Sequence, residues 1–322
     1  MSELVGALRR EVKGRIETAW PLAPLTTYRL GGPASVFVEL VDRADAQVLA
    51  RIVAESGAAN EVLFLGRGSN LVISDEGWPG IVVRLGPPFA RLEAREGRAT
   101  TPPALLAGAA APLPTLANWT ARRGLQGHEF FVSIPGSVGG GVRMNAGAHG
   151  TDVSATLNSV QILDLSSGAV ETRRASSLGL AYRHSELASS ALVLEACFDL
   201  RHGERDLIRE RIESFRRHRA ATQPGALQNA GSVFKNPPGD SAGRLVEAAG
   251  LKGFRVGGAV VSDLHANFFL ASEDASAQDV FDLVNAVRDR VAEEFGVLLE
   301  PEIRFAGAFR GAATFDRQEA AT

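Results

Sequence analysis

Three short polar islands stand among apolar or glycine-rich neighbours in this chain: Tyr182-Arg183, Ser232 within AGSVFKNP, and Glu300-Pro301-Glu302 with Arg304 two residues on. An ionisable group hemmed in this way loses water, and in a pocket it becomes a shifted acid, a shifted base or a clamp on an anion. Each island also has a plain structural reading: a surface salt bridge for Arg183, a helix N-cap or turn for Ser232, an exposed strand end for Glu302. Only convergence of the three would make a reaction centre. Lysine singles out the second island. Of 34 cations only Lys13, Lys235 and Lys252 are lysines, and Lys235 lies three residues from Ser232.

Glycine supplies the second chemical signal. It makes up 34 of 322 residues, about a tenth against a usual ~7%, and it is bunched. Gly66-Arg67-Gly68-Ser69-Asn70 follows the apolar run VLFL, and two glycines in three residues permit the positive φ of an N–H nest that takes a phosphate. A tight hairpin turn between two strands is the alternative for this loop. The second cluster, SIPGSVGGGVRMNAGAHG at 133–150, reads as a long backbone path with little side-chain bulk, fit to lie against a flat, extended ligand. Two such segments in neighbouring units suggest a cofactor wedged between them, with an adenine dinucleotide as the size match.

Other chemistries drop out. The position three after Gly68 is Leu71, and a strand is expected next, so the loop is no GxGxxG dinucleotide turn; no GK pair exists, so there is no Walker A loop. GxSxG is missing, because Pro135 and Ala230 stand two before Ser137 and Ser232. The six histidines show no metal-ligand spacing, and no metal is expected. The single Cys197 sits in ALVLEACFDL and reads as a buried structural thiol. Lys plus Arg is 34 against 37 Asp plus Glu, a net charge of -3, so no broad basic field for nucleic acid exists. Residues 99–121 form the longest uncharged stretch but carry Pro102, Pro103, Pro112 and Pro114, which argues against a membrane span. The N-terminal twenty residues mix charges and lack the apolar core of a secretory signal, which points to the cytoplasm.

The elements that must carry these groups form three units. Leu4, Leu8, Val12 and Ile16 recur every four residues and predict an amphipathic helix. Strands at 35–40, 62–65, 71–74 and 81–85 alternate with a helix at 43–56, closing a first unit at 1–88. A second unit, 89–203, has strand signals around 91–110, a helix from Pro112 to Arg123 begun by prolines, and strands at 158–164, 169–174 and 191–199. A helix at 204–218 leads into a third unit, 204–307, with helices at 241–249 and 277–295 and a strand in LEPEIRFAG. Residues 308–322 read as a tail.

Together these segments resemble one family, the UDP-N-acetylenolpyruvoylglucosamine reductases (MurB), flavoenzymes of early peptidoglycan synthesis. The matching runs are TTYRLGG at 26–32, GRGSNLVISDEG at 66–77, GLQGHEFFVSIPGSVGGGVRMNAGAHG at 124–150, YRHS at 182–185, NAGSVFKNP at 229–237, SDLHANF at 262–268 and LEPEIRF at 299–305. They keep the family's order over about 280 residues, and without a tyrosine-bearing insertion the chain is similar to the shorter subtype. The resemblance implies an α+β fold: two FAD-cradling subdomains of the non-Rossmann, vanillyl-alcohol-oxidase-like (PCMH) kind, then an α+β substrate-binding domain. It implies NADPH-dependent, ping-pong reduction of UDP-N-acetylglucosamine enolpyruvate to UDP-N-acetylmuramate, with FAD as cofactor, in a protein read as a monomer. An FAD-dependent carbohydrate or lactone oxidoreductase of the same fold is the alternative.

The resemblance also assigns residues. Catalytic roles fall to Arg183, Ser232 and Glu302. FAD contacts fall to Gly66, Arg67, Gly68, Ser69, Asn70, Ile134, Pro135, Gly136, Ser137, Gly139, Gly140, Asn145, Gly147 and Arg304. Substrate contacts are Tyr182, Arg219, Lys235, Asn236 and His265. The chain departs from the family pattern at Thr222, generally lysine, and at Arg143 and His149, which stand where tyrosines are usual. Arg217, His218 or Arg219 is expected to replace the missing lysine.

Overall fold

The computed structural model describes residues 2–97, 102–225 and 228–311. It has the α+β organisation that the alternation of signals requires, with three large hydrophobic cores and a smaller fourth one in which Ala306 packs against residues of the first sheet. The first unit is a four-stranded sheet in the order Arg15–Pro21, Pro33–Leu40, Trp78–Leu85, Val62–Phe64. The first pair is antiparallel and the other two are parallel. Helix Arg43–Ser56 covers it, started by the Asp42 carboxylate accepting from the Asp45 amide at 2.8 Å and stopped by Gly57 at φ 69°.

The second unit is a five-stranded antiparallel sheet: Val170–Arg174, Leu157–Asp164, Ala191–Asp199, Ala104–Gly108, Leu92–Arg95. Cys197 lies half-buried on its central strand, where burial pushes the thiol pKa up. Helix Leu113–Ala121 packs on the turn Glu129–Ser133, and so does the long helix Arg205–Thr222. The third unit holds a three-stranded sheet and helices Ala242–Ala248 and Ala277–Phe295. Ser276 and Asp279 form a capping box on the latter, and Gly296 ends it.

Three predicted details differ. The N-terminal helix stops at Glu11, and Ile16 pairs with Val38 on a strand. The reason is Asp45, whose carboxylate accepts from the amides of Lys13 and Gly14 at 2.9 Å each and turns the chain out of the helix. The loop 66–70 is no hairpin: Val62–Phe64 pairs with Trp78–Leu85, whereas Leu71–Ile73 pairs in parallel with Arg304–Ala306 from the far end of the chain. The stretch 133–150 is not one extended path, because Val138–Arg143 is a short helix capped by Ser137. Three glycines make that helix intrinsically poor, but two of them are closely packed: a Cβ on Gly139 would come 3.0 Å from the Ala109 Cβ and one on Gly141 3.1 Å from Leu113.

The third unit is stitched to the first. Asp75, beyond the first glycine loop, accepts from the amides of Ala277 and Gln278 at 2.9 and 3.1 Å and so caps the long helix. Tyr28 is fully buried, and its hydroxyl donates to the Phe269 carbonyl at 3.0 Å.

Candidate active site

The first glycine loop is folded by the run that precedes it in sequence. Gly68 has φ 59°, and a Cβ there would lie 2.3 Å from the Leu25 carbonyl oxygen, so only glycine fits. Thr27 fixes the same residue, its amide and hydroxyl both donating to the Gly68 carbonyl at 3.0 and 3.3 Å. The amides of Gly66, Arg67, Gly68 and Ser69 take no acceptor among the described residues. Arg67 Nε donates to Pro135 O at 2.9 Å and joins the two glycine segments.

Arg183 sits at the tip of a two-residue turn between Ala181 and His184, at φ 55°, a conformation that costs a non-glycine residue about 1–2 kcal/mol. The buried Asn145 holds the turn's base: its Nδ2 donates to Ala181 O at 2.8 Å and to Asp152 Oδ2 at 3.1 Å, and its Oδ1 accepts from Ser154 N at 3.0 Å. The guanidinium donates to Gly147 O at 2.8 Å and to Glu302 Oε1 at 2.7 Å. Gly147 makes room, since a Cβ on it would lie 3.0 Å from Arg183 Nη1.

Ser232 and Glu302 come from adjacent extended segments. Phe234 and Pro301 form an antiparallel bridge, Glu302 N donates to Val233 O at 2.7 Å, and Lys235 N donates to Glu300 O at 2.8 Å. Asn267 staples the serine segment from its other side. Its backbone carbonyl accepts from Val233 N at 2.8 Å, its Oδ1 accepts from Phe234 N at 2.9 Å and its Nδ2 donates to Phe234 O at 2.8 Å. Asn70 ties this pair to the glycine loop, donating through Nδ2 to Glu302 O at 2.9 Å while its carbonyl accepts from Arg304 N at 3.0 Å.

All three islands thereby open onto one cavity of about 530 Å³, within the size range of small-molecule sites. The side chains of Arg183 and Glu302 are only 18% and 16% exposed, so neither the surface salt bridge nor the exposed strand end describes them. Ser232 bridges Phe268 as an extended residue and caps no helix. Burial raises the Glu302 pKa, overcoming the opposite pull of Arg183 and the weaker one of Lys235, so the carboxyl holds its proton to higher pH than usual.

Of the cofactor set, Gly66 to Asn70, Ile134 to Ser137, Gly140, Gly147 and Arg304 line this cavity. Gly139 faces a smaller adjoining cavity, and Asn145 lies behind the wall with its amide spent on internal bonds. Arg219 lines the cavity beside His218, and its guanidinium donates to Ser133 O. His149 stacks on Phe215 at 3.9 Å, and burial with nearby His218 and Arg219 lowers its pKa. Tyr182, Lys235, Asn236 and His265 do not line it. Tyr182 is half exposed with its hydroxyl 3.4 Å from Asn236 N, and Asn236 Oδ1 accepts from Ala242 N at 3.1 Å. Lys235 pairs with Glu300 on the strand face opposite Ser232, as odd spacing along an extended segment requires. His265 Nδ1 accepts from Asn267 N at 3.2 Å.

Sequence reasoning passed over Asn267, although it lies within SDLHANF; nothing local marks an asparagine as a staple until the strand it grips is known. Ser133, Ser189 and Gln223 also line the cavity and carried no signal of their own.

The site's charge is lopsided. Five arginines, 67, 143, 183, 219 and 304, face it, and Glu302 brings the one carboxyl group among its lining residues, in a chain whose net charge is -3. Such a field selects an anion. Two adjoining cavities that share glycine lining suit FAD, and at Gly66 a Cβ would come 2.7 Å from Ser137 Oγ.

Comparison with known proteins agrees. Residues 34–173 match the FAD binding domain, and residues 223–306 match the C-terminal domain of UDP-N-acetylenolpyruvoylglucosamine reductase. UDP-N-acetylenolpyruvoylglucosamine reductase 2 of Symbiobacterium thermophilum is 44% identical over 310 residues, covering 95% of this chain and 98% of that protein. The Acidiphilium cryptum reductase is 42% identical over 304 residues, covering 94% and 95%. The crystal structure of the Thermus caldophilus reductase (MurB) superposes with a TM-score of 0.76 at 35% identity, over 91% of this chain and 99% of that one. With likeness of this extent at the level of sequence and of fold, the chain belongs to the UDP-N-acetylenolpyruvoylglucosamine reductase family.

Proposed function

We propose that this protein reduces UDP-N-acetylglucosamine enolpyruvate to UDP-N-acetylmuramate at the expense of NADPH, with FAD bound along the glycine segments. The observation that carries this reading is the meeting of Arg183, Ser232 and Glu302 in one arginine-rich cavity from positions up to 119 residues apart. When bound, FAD supplies the hydride carrier that links NADPH oxidation to substrate reduction in two alternating half-reactions.

The chain's own groups handle the charge and the proton. Hydride arriving at the enolpyruvyl methylene carbon leaves negative charge on the neighbouring carbon and its carboxylate. Arg183, held by Gly147 O and Glu302, offers a fixed cation there without reorganisation. Glu302, whose pKa burial raises, accepts from Arg183 on one oxygen and in its protonated form donates its O–H to the same carboxylate from the other. Ser232 gives its proton to the carbon next to the carboxylate, completing H⁻ plus H⁺ addition across the double bond, and recovers a proton from solvent. Arg183 is the cation of this cavity that steadies the transient alkoxide, since Lys235 is engaged with Glu300. Arg219 is assigned the substrate's diphosphate, in place of the lysine that Thr222 lacks.

We read the protein as a cytoplasmic monomer. Both substrates are anionic nucleotides that do not cross membranes unaided, and one chain assembles the whole reaction centre. Among the described residues no helix is long and apolar enough to cross a membrane. The test is an anaerobic titration. NADPH should bleach the bound flavin, and UDP-N-acetylglucosamine enolpyruvate should restore its colour without oxygen. A protein that takes up no flavin, or that stays bleached, does not have this activity.

A further inference from the structure

A second partly buried cation has no part in the chemistry above. Arg143 closes the short helix Val138–Arg143, and its guanidinium donates to the carbonyls of Leu187 at 3.3 Å, Ala188 at 3.1 Å and Ala191. Its central carbon lies 5.9 Å from the centre of the Phe64 ring. Among the described residues no carboxylate pairs with it, and burial together with the nearby charge of Arg304 brings its pKa down to about 10. A half-buried guanidinium on neutral carbonyls beside another cation has no counter-charge among the described residues. Three bonds also leave two of its five N–H groups, Nε and one on Nη1, without an acceptor among the described residues.

Its position identifies the missing anion. The 530 Å³ cavity and the adjoining one of about 130 Å³ have Phe64, Leu65, Gly66, Arg67, Ser137, Gly140 and Arg143 in common, and these residues mark the waist between them. The larger lobe holds Arg183, Ser232 and Glu302; apolar Val83, Leu85, Leu192 and Val193 wall the smaller. A ligand with a reactive ring in one lobe and a second flat ring in the other threads its linker past Arg143. We propose that Arg143 binds the diphosphate of FAD at this waist and makes the site select the dinucleotide over unphosphorylated flavin. The proposal rests on the FAD reading of the site and deepens it by naming the side chain that meets the diphosphate.

The experiment is titration of the full-length, flavin-stripped protein with FAD and with riboflavin, followed by quenching of flavin fluorescence. Arg143→Gln should weaken FAD about tenfold to a hundredfold, the worth of a charge-assisted hydrogen bond, and riboflavin by less than about threefold. Arg143→Lys keeps the charge but cannot span the three carbonyls, and it should hold the FAD-over-riboflavin preference within about threefold of the parent. Equal loss for both flavins, or no loss for either, overturns the proposal and leaves Arg143 as a latch on residues 187–191. If the Gln variant does not fold, Arg143→Met takes its place, with the same selective loss of FAD expected and the same two outcomes overturning the proposal. A parent that takes up neither flavin refutes the FAD reading itself, a result distinct from a parent that binds FAD with no dependence on Arg143.

Discussion

Ser232→Ala separates the proton-transfer role from every structural one. The serine hydroxyl makes no hydrogen bond among the described residues, and its segment is fixed by bonds that do not involve it: Val233 N to Asn267 O at 2.8 Å, Phe234 N to Asn267 Oδ1 at 2.9 Å and Glu302 N to Val233 O at 2.7 Å. Deleting one oxygen should therefore change stability by less than about 0.5 kcal/mol. Loss of a positioned general acid costs about 10²–10⁴ in rate, or roughly 3–5.5 kcal/mol of barrier at ~1.36 kcal/mol per tenfold. The assay is anaerobic stopped-flow absorbance of the flavin, run one half-reaction at a time. NADPH should bleach the variant at the parental rate within about threefold, whereas return of colour on adding the enolpyruvyl substrate should slow by about 10²–10⁴. Ser232→Cys, which keeps an acidic proton at the position, should recover part of the loss. Return of colour at the parental rate would refute the proton assignment; equal slowing of both halves would make Ser232 a support of site shape.

Three further outcomes follow from the same geometry. Because burial raises the Glu302 pKa, the neutral form that donates to substrate is lost as pH rises through that raised value. The parent's kcat/KM should fall along that limb, and Glu302→Gln, permanently neutral, should lack it. The linkage has the same sign: a raised folded-state pKa gives stability present below the ordinary carboxyl range and lost towards the raised value. Denaturant melts should therefore show the Gln variant gaining on the parent across that interval, and a constant difference would contradict the shift. Asn267→Ala strips partners from Phe234 N and O inside the protein and should cost about 2–5 kcal/mol in urea unfolding, whereas a change under 1 kcal/mol would mean that water replaces the staple. Arg219→Met should raise KM for the nucleotide-sugar substrate about tenfold to a hundredfold with NADPH bleaching unchanged; an unaltered KM removes Arg219 from substrate binding.

Much of the scaffold was legible because its causes are local. Helix 277–295 carries its own start in Ser276 and Asp279 and its own stop in Gly296, and helix 43–56 is bracketed by Asp42 and Gly57 in the same way. Strand runs such as 157–164 and 191–199 follow from alternation and apolar content. The N-terminal helix was over-read for the opposite reason: its period of four runs on to Ile16, but Asp45, some thirty residues away, captures the Lys13 and Gly14 amides first. Helix 138–143 was under-read because glycine propensity argues against it, while the residues that crowd Gly139 and Gly141, Ala109 and Leu113, belong to other parts of the chain.

The sequence by itself determined the chemical inventory: two glycine segments able to approach an anionic cofactor, and three polar islands whose residue types suit charge stabilisation and proton transfer. It also named the family through the order of its motifs. Only the tertiary structure decided that Arg183 meets Glu302 across 119 residues, that Ser232 shares their cavity, and that Lys235 and Asn145 are spent elsewhere. The physical reason is one of range. Turn, cap and periodicity preferences act within about four residues along the chain. The parallel pairing of residues 71–73 with 304–306 instead depends on how separate cores pack, and that pairing sets Glu302 beside the glycine loop.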